Sequence, residues 1–136
     1  MCYMLNFISY KDISKAEIQE YRKFGVDISG KTLLMNDSNP DRFYYGLTSN
    51  AGCACNLYQG DPGNGYKIFE LLTECVRFGE VILFFYWDDG DYNEITNDVF
   101  SYINRTKQIR ISLDDFLYDF LTKQFEGNGV VFIITK

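Results

Sequence analysis

The chain has 136 residues, 46% of them hydrophobic and 18% aromatic, with thirteen bases against nineteen acids and no histidine. That length matches one domain by the usual measure of roughly 100–200 residues, so residues 1–136 are expected to fold as a single globular domain with a real core, and the composition excludes a disordered chain. The net charge of −6 disfavours nucleic acid, which is held through cationic contacts, and the lack of histidine removes the cysteine–histidine relay of thiol enzymes.

The opening Met1-Cys2-Tyr3-Met4-Leu5-Asn6-Phe7-Ile8 has neither a basic leader region nor a small-residue cleavage site. Residues 2–10 alternate loosely and predict a first strand. Ser14-x-x-Glu17 is a capping box that opens a helix. Ile18, Tyr21 and Phe24 are its expected buried stripe and Gly25 its stop. Lys31 to Met35 and Arg42 to Thr48 read as strands of a hairpin. Residues 49–65 follow as a long irregular loop containing Gly52, Gly60, Pro62, Gly63 and Gly65. Asn64 is the expected cap of a second helix with the stripe Ile68, Leu71, Leu72, Cys75 and Phe78, closed by Gly79.

Val81 to Trp87 is an unbroken apolar run, the longest in the chain. It is far short of the roughly 20 residues of a membrane span, and its β-branched and aromatic content predicts a strand buried on both faces. Ile95, Val99, Tyr102 and Ile103 space a third helix, and Gln108 to Ser112 is a short strand. Ser112-x-x-Asp115 caps a fourth helix with Phe116, Leu117, Phe120 and Leu121 on one face. Gly127-Asn128-Gly129 turns the chain into a last strand, Val130 to Thr135. The order β-α-β-β-α-β-α-β-α-β predicts an α+β fold: one mixed sheet of about six strands with three to four packed helices. Strands 80–87 and 130–135 are its expected centre.

Directly after the apolar run come Asp88, Asp89, Asp91, Glu94 and Asp98. From Gly79 to Asn104 these five and Glu80 are unaccompanied by any Lys or Arg. Such a field speeds association with a basic partner. Asp89-Gly90-Asp91-Tyr92-Asn93-Glu94 places oxygens at alternate positions as calcium loops do, but Glu94 stands where an EF-hand needs glycine and Phe100 where it needs glutamate. A magnesium-phosphate site wants neighbouring bases that this segment lacks, and paired carboxylates for glycoside hydrolysis have little room for a sugar cleft. The segment reads either as a solvated helix cap or as a docking surface, with Trp87 and Tyr92 as aromatic anchors.

Two other motifs invite chemistry. Cys53-Ala54-Cys55 would ligate zinc with Cys75 and Cys2, but structural zinc sites bring two close pairs; a reactive thiol there would need a helix N-terminus or a cation. Gly60-Asp61-Pro62-Gly63-Asn64-Gly65-Tyr66-Lys67 approaches a phosphate loop, yet Tyr66 separates Gly65 from Lys67 and Ile68 replaces the hydroxyl residue.

The opening segment, the Gly52-Cys53-Ala54-Cys55 loop and Ile111-Ser112-Leu113-Asp114-Asp115-Phe116 resemble small bacterial proteins of the immunity type, cytoplasmic inhibitors that neutralise a toxin. The resemblance implies a class only: a small acidic binder of a basic, nucleic-acid-cleaving enzyme. The expectation is therefore a cytoplasmic interaction module, not an enzyme, with no cofactor, no membrane and no direct nucleic-acid contact. It would bind a basic toxin or nuclease through Asp88, Asp89, Asp91, Glu94, Asp98, Trp87 and Tyr92. The alternatives are a thiol- or metal-dependent protein using Cys53 and Cys55, or a small-ligand-binding domain.

Overall fold

The computed structural model describes residues 3–29, 41–49, 62–87, 103–122 and 130–136. They form β1 (Tyr3–Ser9), α1 (Lys15–Lys23), β2 (Val26–Ser29), β3 (Phe43–Ser49), α2 (Pro62–Val76), β4 (Val81–Trp87), β5 (Lys107–Ser112), α3 (Leu113–Thr122) and β6 (Val130–Thr135). Residues 103–105 are helical as well. The six strands make one sheet in the order β2-β3-β1-β4-β6-β5. Every neighbouring pair is antiparallel except β5 with β6. The fold is the expected α+β type with a mixed sheet.

The local signals act where the sequence puts them. Ser14 caps α1, its hydroxyl accepting the Glu17 N–H at 3.2 Å, which satisfies one of the orphan donors of the first turn. Glu17 pairs with Lys11 at 3.3 Å. Ser112 does the same for α3, accepting from the Asp115 N–H at 3.2 Å. Gly25, with φ +88, and Gly79, with φ +142, take the backbone past the ends of α1 and α2 in conformations that only glycine adopts without strain.

One face of the sheet meets the helices. Leu5, Phe7, Tyr45, Leu47, Val81, Leu83, Phe132 and Ile134 pack there against Ile68, Leu71, Leu72 and Cys75 of α2 and Leu113 and Phe116 of α3. Phe7 stacks on Tyr45 with centroids 5.2 Å apart, and Phe116 meets Phe132 edge-on at 5.4 Å, arrangements worth something beyond the area they bury. On the opposite face Ile8, Tyr44, Ile82, Phe84, Val131 and Ile133 of the inner strands are buried as well, while Gln108 and Arg110 of the edge strand β5 are exposed. Val81 to Phe84 of β4 are thus buried on both sides, as the composition predicts. Asn6 shares that second face, 5% exposed, and its Nδ2 has no hydrogen-bond partner among the described residues.

Several expectations change. The centre of the sheet is β1 with β4; β6 lies one strand further out, paired on one side with β4 and on the other with β5. The strand beside β3 is Val26–Ser29, which follows α1 directly and registers Ile28 against Leu47; the predicted strand 31–35 lies outside the described residues. α2 starts at Pro62, so Asn64 sits in its first turn and does not cap it. Proline suits that first position because its missing N–H would be unsatisfied anyway. Phe24 and Phe78, assigned to buried stripes, are 53% and 57% exposed.

Candidate functional site

The sheet's register decides what the chain's unusual segments share. β3 and β4 flank β1, and both run antiparallel to it. Leu5 pairs with Leu47 and Tyr3 with Trp87, so β3 and β4 finish at the end of the sheet where β1 begins. The chain therefore departs toward the Cys53-Ala54-Cys55 loop and toward the carboxylates from the same end, two strand spacings apart, or about 10 Å. β6 enters the sheet at that end as well, since Phe84 pairs with Val131, and β5 starts there opposite it.

Trp87 is placed by its backbone as the last residue of β4. Asp88, Asp89, Asp91, Tyr92, Glu94 and Asp98 lie outside the described residues, as do Cys53 and Cys55. Glu80, the remaining acid of the base-free window, sits at the other end of β4 and is engaged by Arg110 of β5 at 3.2 Å. What the fold contributes to the acidic segment is its root: a central strand whose Val81, Ile82, Leu83 and Phe84 are all buried.

Cys75, weighed in the sequence as a fourth zinc thiolate, is fully buried in the core. Burial pushes its thiol up to about 11, against a lowering hydrogen bond with Ser9. A thiol in that state is a packing group and not a nucleophile. Among the described residues no group of three Cys, Asp or Glu side chains is placed to hold a metal ion, and no helix is long and apolar enough to cross a membrane.

A second constellation escapes the sequence reading. Between α1 and α2 the surface opens into a groove of about 320 Å³ lined by Glu17, Glu20, Tyr21, Phe24, Lys67 and Glu70. The Lys67 ammonium lies 3.9 Å from the Phe24 ring centroid and 3.0 Å from Glu70 Oε2. The Tyr21 phenol is pushed up to about 12, first by burial and then by Glu70, with Glu74 and Glu17 adding to it. Helical spacing predicts Phe24 in the core, but its backbone has left the helix (φ −99, ψ 11), so that spacing does not direct its ring. The signal present in the sequence was the pair Lys67 and Glu70 at i, i+3.

No family model, no curated protein and no solved structure matches the chain.

Proposed function

We propose that the protein is an inhibitor of the immunity type, which binds a basic, nucleic-acid-acting toxin or enzyme and occludes it. The observation that carries this reading is the charge pattern: five carboxylates, Asp88, Asp89, Asp91, Glu94 and Asp98, follow one buried strand with no base among them. Their summed charge mimics a run of phosphates, and Trp87 and Tyr92 supply the aromatic anchors on which interface energy concentrates. Complementary charge raises the association rate and selects the partner. The segment follows directly on β4, a central strand of the sheet. In this reading the chain works by steric and electrostatic occlusion in the cytoplasm and carries out no reaction.

The reading is tested with the triple variant Asp88→Asn, Asp89→Asn, Asp91→Asn, which keeps side-chain shape and removes three charges. Affinity for the basic partner falls by at least tenfold while the melting temperature stays within a few degrees. An unchanged affinity removes the acidic segment from the interface.

A further inference from the structure

The groove between α1 and α2 has a chemistry of its own. Its lining side chains carry three carboxylates, Glu17, Glu20 and Glu70, against the single ammonium of Lys67. Phe24 and Tyr21 supply aromatic surface, and Phe24 is more than half exposed. Lys67 already shows what this arrangement holds: its ammonium rests on the Phe24 face with Glu70 beside it. A cation on an aromatic face is attracted by the ring quadrupole, and a carboxylate alongside adds a charge-assisted hydrogen bond. The other two carboxylates are paired with Lys11 and Lys23 at 3.3 Å each. Ion pairs with exposed members are worth little.

We propose that this groove docks a basic side chain, lysine or arginine, from a protein partner, and that Lys67 holds the same place in the free protein. The choice of a basic protein as occupant rests on the inhibitor reading above. The location agrees with it. Phe24 lies two residues before Val26, which pairs with Ser49 at the end of the sheet where β4 finishes. Three strand spacings separate β2 from β4, about 14 Å, which is well inside a footprint of roughly 800 Å² on one partner. One partner footprint thus spans the groove and the end of β4, from which the chain continues into the acidic segment.

The test is a titration of the full chain, followed by residue-resolved NMR, with an acetylated and amidated Gly-Arg-Gly-Arg-Gly peptide at low salt. A matched peptide with glutamine for arginine and free arginine amide serve as comparisons. The arginine peptide shifts Tyr21, Phe24, Lys67 and Glu70, and the glutamine peptide does not. Phe24→Ala and Glu70→Gln weaken binding at the groove by about three- to tenfold, while Lys67→Ala tightens it by about threefold by removing the internal competitor. These side chains are exposed or half-buried, so the variants fold, and their melting curves check it. The triple Asn variant of Asp88, Asp89 and Asp91 keeps the groove shifts, so failure of the acidic segment and failure of the groove are separable. Shifts confined to residues 88–98, or Phe24→Ala and Lys67→Ala binding like the parent, overturn the inference. Arginine amide binding as tightly as the peptide also overturns it, since the groove is then a site for small amines.

Discussion

Arg110 and Glu80, thirty positions apart in the chain, meet in an ion pair of 3.2 Å. Glu80 is thereby engaged by a base, at the end of β4 remote from Asp88. Both side chains are partly exposed, so the pair contributes on the order of 0–1 kcal/mol. Glu80→Gln is therefore expected to leave stability within about 1 kcal/mol and partner binding unchanged. Binding measured beside the triple Asn variant checks this: loss in both would show that bulk charge, and not the segment after Trp87, governs association.

The Tyr45 hydroxyl ties the loop between β1 and α1 to the core. It accepts the Ile13 N–H at 2.8 Å and donates to the Lys11 carbonyl at 3.0 Å. Tyr45→Phe leaves a buried N–H without an acceptor, which costs about 1–3 kcal/mol. Urea unfolding should show the midpoint falling with the slope unchanged. A variant as stable as the parent would mean that water reaches Ile13.

Alkaline pH should destabilise the protein through three groups that share a direction. Burial is the first cause in each: Tyr21 and Tyr45 are raised from 10.0 to about 12, and Cys75 from 9.0 to about 11. The folded state holds these protons where the unfolded chain has released them, so stability falls as pH rises. The contribution is complete below pH 9 and is lost as pH climbs through about 11 to 12. Unfolding midpoints measured from pH 8 upward trace it, and Tyr21→Phe should flatten the upper part of the curve. A midpoint that rises over that range would contradict these assignments.

Gly79 sits where no side chain fits. Its φ is +142, and a Cβ there would stand 2.7 Å from the Tyr10 ring. Gly79→Ala is expected to cost about 1–3 kcal/mol. Combining it with Tyr10→Ala returns the steric part and leaves the backbone part, so the double variant is less destabilised than the sum of the two changes. Strict additivity would show that the ring moves aside freely.

The features that local chemistry controls were readable from the residues. Ser14 and Ser112 cap helices because a hydroxyl reaches an orphan N–H three residues on. Val81 to Phe84 are buried on both faces because nothing in the run is polar. What depends on partners was not readable. β2 is four residues long, and its Val26 and Ile28 become a core face only against β3 and its Leu47. β1 shares the sheet's centre although Asn6 and Ser9, both buried, interrupt its apolar pattern. Phe78 follows the last residue of α2, Val76, and the periodicity that places Cys75 inside has ended by then. The ring lies in the turn toward Gly79, with the Lys11 ammonium 5.2 Å from its centroid. The groove between α1 and α2 depends on where two helices settle on the sheet, which no short stretch of sequence encodes. The acidic segment is legible in the charge pattern alone, and the sheet register adds where β4, which leads into it, ends.

The most direct test of the inhibitor reading is capture from source-cell lysate on three immobilised proteins: the parent, Glu80→Gln, and the triple Asn variant of Asp88, Asp89 and Asp91. Washes at low and then high salt separate electrostatic contacts from others, because exposed charge pairs are screened. The account predicts one basic, nucleic-acid-acting protein on the parent and on Glu80→Gln, released by high salt and absent from the triple variant. A partner retained equally by all three, or no basic partner on any of them, would contradict it.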